Sequence, residues 1–297
     1  MKTLSKILRD MQRERQRKTL LCGFPSADCW GLLQKGEVTV LGARPGMGKT
    51  TFALQIAAHV AGVSEHTVLW FGSADTSARR LAEALLLKVP LRYYVEPAYQ
   101  RVWIECREWN LSRIRETVRE IPQPPTLIII DDLEGFYVPS KKGRPLYDAA
   151  RVCRKIQEMA RETGAAVLVT SKLTRAPEMR KDHDPRFTDL PDWESIAPFV
   201  DIVCLFFREG YYDWDAADSA RTDFDVSPCG GYGGTGVFDL EFHNSAEAAW
   251  FSEIREEDFF AGVLSSQVQR GRIEDFKRSF PAKAFAGAAI QLAGKLC

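Results

Sequence analysis

The chain has no net charge and no paired cysteine motif. Its 297 residues carry 40 basic and 40 acidic side chains. A neutral whole argues against a protein that coats nucleic acid indiscriminately, although it permits a focused basic channel. The seven cysteines form no CxxC pair, so we expect reduced thiols in a cytosolic protein rather than a disulfide framework.

A long apolar run, a secretory signal and an internal repeat are also lacking. No stretch approaches the roughly 20 apolar residues that a bilayer-spanning helix needs, and the N-terminus has no hydrophobic signal region. We therefore expect no membrane partner and a cytoplasmic location. Hydrophobic content of 45% and charged content of 27% are ordinary for a globular protein with a sizeable core.

The N-terminal segment is basic although the whole chain is neutral. Residues 1–18 hold seven basic side chains against Asp10 and Glu14. The apolar residues of this segment recur at helical spacing: Leu4, Ile7, Leu8 and Met11. The pattern predicts a helix with one apolar stripe. This helix either docks on another surface or is a solvated terminal helix.

From residue 36 onwards, apolar strand-like runs alternate with helical segments. Strands are predicted at 37–41, 67–71, 126–130, 165–170 and 200–207. Helices are predicted at 49–61, 77–88 and 149–160, with Gly62 and Gly164 ending the first and the last. Strands that are apolar on both faces and separated by helices indicate an α/β fold with a covered parallel sheet. Residues 236–242 and 248–251 predict an antiparallel hairpin at the sheet edge, and 213–236 predicts a loop.

A glycine-rich loop joins the first of these strands to the first helix. Its residues are Ala43, Arg44, Pro45, Gly46, Met47, Gly48, Lys49, Thr50 and Thr51. Backbone N–H groups and a helix N-terminus together make a nest for phosphate oxygens. In such a P-loop, Lys49 would contact the β- and γ-phosphates and the Thr50 hydroxyl would ligate Mg²⁺. Ala43 replaces the first glycine of the strict pattern, but the strand before and the helix after match, so we predict binding of ATP and Mg²⁺.

Three carboxylates follow predicted strands and are candidates for the chemistry. Asp131 ends the strand at 126–130, where a metal-orienting carboxylate is needed, and we expect that strand to lie beside the P-loop strand. Asp132 is the alternative metal-facing carboxylate. Asp75 follows the second strand and either orients and deprotonates an attacking water or caps the helix that comes next.

Two basic loops also follow strand ends. Residues 134–146 and 173–191 lie where open α/β sheets present ligand-facing loops. Their candidate DNA-contacting side chains are Lys141, Lys142 and Arg144 in the first, and Arg180, Lys181 and Arg186 in the second.

The order and sequence of these motifs resemble those of the C-terminal motor domain of the replicative DNA helicase DnaB, a hexameric ATPase of the RecA fold. The matching stretches are 36–54, 127–131, 167–175 and 189–208, within a resemblance that covers roughly 19–255. The P-loop sequence Ala-Arg-Pro-x-Met-Gly-Lys-Thr is typical of that family and is more specific than the general P-loop pattern. The resemblance implies a RecA-like P-loop NTPase fold, with a mainly parallel central sheet and an antiparallel hairpin at its edge.

The resemblance also implies an organisation and a set of partners. Residues 1–18 would be a linker helix that docks on a neighbouring subunit, 19–260 the ATPase domain and 261–297 a C-terminal helical tail. The subunits would form a hexameric ring whose basic loops face single-stranded DNA. A primase or a loader would be a further partner. The primase-recruiting domain of full-length members has no counterpart here, so we expect a short form encoded by a bacterium, plasmid, phage or other mobile element.

Departures from the family pattern leave two main hypotheses open. Asp75 is the nearest match to the family's catalytic glutamate, and Lys172 aligns with its phosphate-sensing glutamine. The family's trans-acting basic finger aligns with Cys-Gly-Gly at 229–231, and Arg221, in the loop just before, is the candidate replacement; such a finger is worth roughly 10³–10⁵ in rate. The chain is therefore either a DNA motor or an ATP-binding assembly protein that hydrolyses slowly or not at all. A third option is a RecA-fold regulatory ATPase acting on protein.

Overall fold

Runs of β-branched and aromatic residues, buried on both faces, build the centre of the molecule. The computed structural model describes residues 3–72, 77–88, 100–106, 111–135, 148–213, 215, 219–229, 236–244 and 249–254. Several predicted positions lie outside the described residues, and these are Asp75, Lys141, Lys142, Arg144 and the tail at 261–297.

The helices and strands alternate along most of the described chain. They begin with α1 (Leu4–Lys18), α2 (Pro25–Cys29), β1 (Val38–Ala43), α3 (Lys49–Gly62), β2 (Val68–Gly72), α4 (Ala78–Lys88), β3 (Val102–Glu105), α5 (Leu111–Glu120) and β4 (Leu127–Asp131). They continue with α6 (Ala149–Thr163), β5 (Ala166–Lys172), α7 (Trp193–Ile196), β6 (Ile202–Phe207), β7 (Arg221–Pro228), β8 (Gly236–Asn244) and β9 (Ala249–Glu253). Short 3₁₀ turns lie at Leu133–Gly135, Ala176–Met179, Phe187–Asp189, Ala197–Phe199 and Glu209–Tyr211.

The described strands form one sheet in the order β3-β2-β4-β5-β1-β6-β7-β8-β9. Strands β1 to β6 pair in parallel, whereas β7, β8 and β9 add to the β6 edge as antiparallel neighbours. This arrangement confirms the predicted α/β fold with a parallel centre and an antiparallel edge. Because the strands of the centre point the same way, their carboxyl ends meet at one edge, where loops bind ligands.

Strand β4 does not lie beside the P-loop strand, so that expectation was wrong. Strand β5 lies between them, pairing with β1 on one side and with β4 on the other. Single-strand patterns give the type of an element but not its neighbours in a parallel sheet, because crossover connections can skip a strand.

The segment 213–236 contains a strand rather than being a loop throughout. Strand β7 runs from Arg221 to Pro228, with Thr222, Phe224 and Val226 buried. Its alternation of polar and apolar residues is the period-two pattern of a strand, but acidic composition obscured it. Strand β3 at the other edge was missed because it is only four residues long.

One of the two predicted helix ends is confirmed. Gly164 ends α6 in the left-handed conformation, with φ of 69°, and its N–H bonds to the Ala160 carbonyl. Gly62 was wrongly expected to lie beyond its helix: it is the last residue of α3, and Val63 caps the helix with φ of −95°. An ordinary residue therefore ends this helix without left-handed backbone.

An aromatic cluster packs α3 against the antiparallel edge. Phe52 of α3 contacts the rings of Phe24, Phe206, Phe224 and Phe251, with centroids 4.8–5.6 Å away. Aromatic pairs at such distances contribute about 0.5–1.5 kcal/mol each beyond their buried area. The helix that follows the P-loop is thereby held rigidly on the sheet.

The same helix is joined to the last strand by paired hydrogen bonds. Gln55 of α3 donates from Nε2 to the Phe251 carbonyl at 3.0 Å, and its Oε1 accepts from the Phe251 N–H at 2.6 Å. A buried amide that satisfies both backbone groups of one residue imitates a neighbouring strand. It therefore fixes β9 against the P-loop helix.

The predicted N-terminal helix is present as α1. Leu4 at its start is 72% exposed, and docking of the helix on another subunit stays a prediction. The six cysteines in the described part of the chain have free thiols. Among the described residues, no helix is both long enough and apolar enough to cross a bilayer.

Candidate functional site

The loop between β1 and α3 has the backbone geometry of a phosphate nest. Gly46 and Gly48 have φ of +83° and +106°, a region that glycine adopts without strain. A Cβ on Gly48 would lie 2.9 Å from the Phe251 ring. Helix α3 begins at the next residue, Lys49, so its free N–H groups point towards the loop.

Lys49 lies folded back on this loop. Its Nζ donates to the Ala43 carbonyl at 2.8 Å and the Arg44 carbonyl at 3.2 Å, and the residue is 8% exposed. Burial lowers the pKa of Lys49 to about 8, while the negative charges of Glu134 and Asp131 oppose that shift. A buried ammonium of this kind gains from an anionic ligand that neutralises it.

Asp131 and Thr50 meet at the carboxyl ends of the strands. The Thr50 hydroxyl donates to Asp131 Oδ2 at 3.0 Å, and the Thr170 hydroxyl of β5 donates to Oδ1 at 2.6 Å. Asp131 therefore reaches the P-loop helix across the intervening strand. Burial raises the pKa of Asp131, and these two hydrogen bonds oppose the rise. A hydroxyl and a carboxylate are oxygen ligands of the kind that Mg²⁺ prefers, so the pair fits the predicted metal.

Asp132 has a different neighbour from Asp131. Its Oδ2 is 2.5 Å from Lys172 Nζ, and its Oδ1 accepts from the Gly135 N–H at 3.1 Å. The hydrogen bond that Lys172 donates to Asp132 raises the pKa of Lys172, which is half exposed. Of the two adjacent carboxylates, the geometry therefore favours Asp131 as the metal-facing one. Lys172 lies at the site, but its ammonium is already paired.

Glu134 is a site residue that the sequence patterns did not single out. It lies on the 3₁₀ turn after β4, and its Oε1 accepts from Ser171 Oγ at 2.7 Å and from the Lys172 N–H at 2.9 Å. Burial raises its pKa, and the hydrogen bond from Ser171 opposes that rise. The sequence signal for Glu134 is an acid three residues after Asp131, but the basic residues that follow it predict a DNA-contacting loop from position 134 onwards.

Arg44 links the P-loop to the second basic loop. Its guanidinium contacts Glu178 Oε1 at 2.9 and 2.6 Å and donates to the Leu173 carbonyl at 2.6 Å. Both partners belong to the loop that follows β5. A charge-assisted pair therefore joins the P-loop to that loop.

Within that loop, the predicted DNA-contacting residues differ in their surroundings. Arg180 is bidentate to the buried Asp189, so it braces the loop internally. Lys181 and Arg186 are exposed. Among the described residues, the ion pair of the Arg186 side chain is a long contact, 3.9 Å, to the exposed Asp182. The two exposed side chains are available to a ligand, whereas Arg180 is committed to the fold.

A second group missed by sequence reasoning flanks the P-loop. The Arg208 guanidinium lies 4.3 Å from the centroid of the Phe242 ring, a cation–π distance. Its Nη1 is buried and has no hydrogen-bond partner in the described structure. Phe242 comes within 3.4 Å of a Cβ placed on Gly48, and Tyr211 within 3.5 Å of one on Gly46. The loop thus has a planar aromatic and guanidinium surface beside it.

Arg221 lies in a strand and not in a loop, which corrects its predicted placement. It is the first residue of β7. Its Nε is 3.0 Å from Asp223, and its Nη2 is 2.5 Å from Asp239 on the neighbouring strand β8. To act as a finger on another subunit, Arg221 would first have to leave two carboxylates.

Comparison with known proteins identifies a family and relatives of this chain. A family model described as an AAA domain matches residues 25–177, just over half of the chain. The replicative DNA helicase DnaC of Bacillus subtilis is 28% identical over 204 residues, which are 61% of this chain and 45% of the relative. The chain thus spans less than half of the length of that relative.

Solved structures agree on the fold. A solved ATPase domain superposes with a TM-score of 0.66 at 20% identity, covering 86% of this chain and all of that domain. A DnaB-like replicative helicase, described together with its interactions with primase, gives a TM-score of 0.65 at 20% identity over 86% of this chain and 68% of its own.

Proposed function

Because the chain belongs to the AAA domain family, we propose that it is an ATP-dependent motor of the replicative-helicase type that moves along single-stranded DNA. The observation that carries the proposal is the contact of Thr50 with Asp131, at 3.0 Å, directly after a loop with phosphate-nest backbone. Similarity to replicative DNA helicases supports the motor class. The DNA substrate and the assembly are the further parts of the proposal.

The proposed ATP grip uses groups already pointed at one place. The P-loop N–H groups and Lys49 hold the phosphates, and Lys49 exchanges its two carbonyl partners for phosphate oxygens. Thr50 and Asp131 would hold Mg²⁺, which when bound neutralises negative charge on the phosphates. Thr170 keeps Asp131 oriented throughout through its 2.6 Å hydrogen bond.

The nucleobase would lie against Arg208, Phe242 and Tyr211. These side chains border the glycines of the P-loop. A flat aromatic and guanidinium surface stacks a base of any type, and the open Nη1 of Arg208 is a donor for a ring nitrogen or carbonyl. The site therefore combines specific phosphate contacts with a tolerant base contact.

Coupling of nucleotide to DNA would pass through Arg44 and Glu178. Hydrolysis changes the charge in the P-loop, and the ion pair transmits the resulting shift to the loop carrying Lys181 and Arg186. These exposed side chains would contact DNA phosphates, which makes binding strongly salt-dependent. Lys141, Lys142 and Arg144 of the other loop are proposed to join them.

The remaining parts of the proposal concern the assembly. Six copies would form a ring, with α1 docking on the neighbouring subunit and the tail at 261–297 adding a helix. A primase or a loader is the proposed protein partner, and replication of a plasmid, phage or mobile element in the cytoplasm is the proposed setting. The matched DnaB-like helicase has interactions with primase, which supports this part.

An ATP-binding assembly protein with slow or no hydrolysis is the second candidate. The observation that favours it is the pairing of Arg221 with Asp223 and Asp239. A finger held in this way contributes nothing to a neighbouring site. The two candidates make opposite predictions for turnover but the same prediction for nucleotide binding.

Steady-state ATP turnover with and without single-stranded DNA separates the two candidates. For a motor we expect DNA to stimulate turnover and Lys49→Ala to abolish it. Near-zero turnover of the wild type in both conditions, with ATP still bound, would favour the assembly protein. Sizing of the protein in Mg·ATP tests the ring separately, since a persistent monomer contradicts it.

A further inference from the structure

The two oxygens of the Glu134 carboxylate differ in their hydrogen bonding. Oε1 accepts hydrogen bonds from Ser171 Oγ at 2.7 Å and from the Lys172 N–H at 2.9 Å. Oε2 is shielded from solvent but has no hydrogen-bond partner in the part of the chain that the structure describes. Because buried polar atoms are nearly always hydrogen-bonded, a buried carboxylate oxygen without a protein partner is a position where a bound water or ligand atom is expected.

Glu134 lies next to the P-loop, on the side of the site where phosphates would bind. Glu134 accepts from the N–H of Lys172, and Lys172 is the residue that pairs with Ala43 at the start of the P-loop. The Ala43 carbonyl in turn accepts from Lys49 Nζ at 2.8 Å. In a P-loop that ammonium is the group reaching the β- and γ-phosphates. The carboxylate of Glu134 therefore faces the region that the terminal phosphate of ATP would occupy.

The two neighbouring carboxylates are already committed. Asp131 accepts from Thr50 and Thr170. Asp132 pairs with Lys172. Among the described acids at this site, Glu134 is the one with one oxygen held by two hydrogen bonds and the other without a partner. Such preorganisation is what a group that positions water requires.

We propose that Glu134, rather than Asp75, is the catalytic carboxylate of ATP hydrolysis; the inference rests on the proposed function. Oε2 accepts a hydrogen bond from the attacking water and takes its proton as the water oxygen bonds to the γ-phosphorus. The bond from that phosphorus to the β,γ-bridging oxygen breaks, and ADP leaves with that electron pair. The proton then returns from Glu134 to solvent.

Glu134→Gln tests the role with little disturbance of the fold. Glutamine keeps a carbonyl oxygen for Ser171 and the Lys172 N–H but removes the anionic oxygen. We expect kcat to fall by about 10²–10⁴-fold, with the Kd of a fluorescent ATP analogue changed by less than about threefold because phosphate binding uses other groups. Turnover of Glu134→Gln equal to that of the wild type overturns the inference.

Two matched variants make the test specific. Asp75→Asn removes the rival carboxylate, and we expect its kcat to stay within about threefold of the wild type. Glu162→Gln makes the same chemical change at an exposed position of α6 and should have no effect. Loss of turnover in Asp75→Asn alone would assign the role to Asp75 and contradict the proposal.

A further variant protects the test against misfolding. Glu134→Asp keeps the charge but retracts it by one methylene, so we expect slower turnover with unchanged ATP affinity. Wild-type turnover in Glu134→Asp would count against the proposal. Failure of the proposed function looks different: the wild type itself would lack turnover with and without DNA, which removes the inference along with it.

Discussion

Two charged clusters of similar composition lie in different parts of the sheet, and their cations are held differently. We call the cluster around Lys49 and Glu134 the open cluster, because Lys49 is held by backbone carbonyls, and the cluster around Arg221 the closed cluster, because Arg221 is paired with carboxylates. At the carboxyl ends of the parallel strands, Lys49 is buried against backbone carbonyls and Glu134 keeps a shielded oxygen without a partner among the described residues. On the antiparallel edge, Arg221 is held by Asp223 and Asp239. The first cluster has capacity for a ligand, and the second satisfies its cation internally.

The difference comes from the direction of the strands. Parallel strands deliver their ends to a common edge, where side chains converge without being paired across the sheet. In the antiparallel edge, Asp223 lies directly opposite Asp239 in the β7–β8 register. Two acids so placed repel each other unless a cation bridges them, and Arg221 provides it. We therefore expect changes in the open cluster to alter chemistry and changes in the closed cluster to alter stability.

Asp131→Asn should give the largest effect and should fall on chemistry. The amide still accepts one hydrogen bond but removes the charge that would hold Mg²⁺, so turnover should drop by at least roughly 10²-fold. Because burial raises the pKa of the Asp131 carboxyl, losing the charge should leave the free energy of unfolding unchanged or higher. Turnover and urea unfolding of the same preparation check both halves. A destabilised variant with normal kcat would contradict the expectation that changes in the open cluster alter chemistry and not stability.

Arg221→Met should lower the free energy of unfolding and leave turnover nearly unchanged. Removing the guanidinium leaves Asp223 and Asp239 facing each other without a bridging cation, and we expect unfolding to become easier by about 2 kcal/mol. Turnover per folded molecule should stay within a few-fold of the wild type. Urea unfolding measures the first and active-site-normalised kinetics the second. A loss near 10³-fold at full stability would identify Arg221 as the trans finger after all.

The parallel half of the fold could be predicted from the sequence, and the reason is physical. Strands such as 127–131 are buried on both faces and therefore appear as continuous apolar runs. Strand β7 has one exposed, acidic face, and this composition predicts a loop although the residues alternate as in a strand. Strand neighbours were not predictable, because the position of β5 between β4 and β1 depends on crossovers.

The candidate site was predictable only where the chemistry is local in sequence. Lys49 and Thr50 follow from the P-loop alone, since their roles are set by the backbone next to them. Glu134 is defined by Ser171, which is 37 residues away. The partner of Arg221 on β8 is 18 residues away and depends on register. Pairings across strands are not visible in a linear pattern.

Arg208 offers a second test of ligand binding near the P-loop. It is a half-buried arginine whose Nη1 has no hydrogen-bond partner among the described residues. Arg208→Met keeps the apolar stem on Phe242 but removes the donor and the charge. We expect the Kd for ATP to rise by about tenfold, as one hydrogen bond to a charged group is worth about 1.5 kcal/mol. The Kd for inorganic triphosphate, which has no base, should not change. Equal losses for both ligands would show that Arg208 contacts phosphate instead of the base.

The closed cluster should also make the free energy of unfolding depend slightly on pH. Burial first, and then the charge of Asp223, raise the pKa of Asp239 to about 6, whereas an unfolded aspartate titrates near 4. Between these values the folded protein holds a proton that the unfolded chain has lost, so stability rises as pH falls from about 6 to 4 and is lower above 6. The wild type should therefore gain about 1 kcal/mol from pH 7 to pH 5 relative to Asp239→Asn, measured by urea unfolding at both pH values.

Asp223→Asn is the control that separates the two causes of that shift. It removes the neighbouring negative charge but leaves Asp239 buried, so it should reduce the gain at pH 5 without abolishing it. An undiminished gain would assign the raised pKa to burial alone. A gain that persists in Asp239→Asn would place the titrating group outside the edge cluster of Arg221, Asp223 and Asp239.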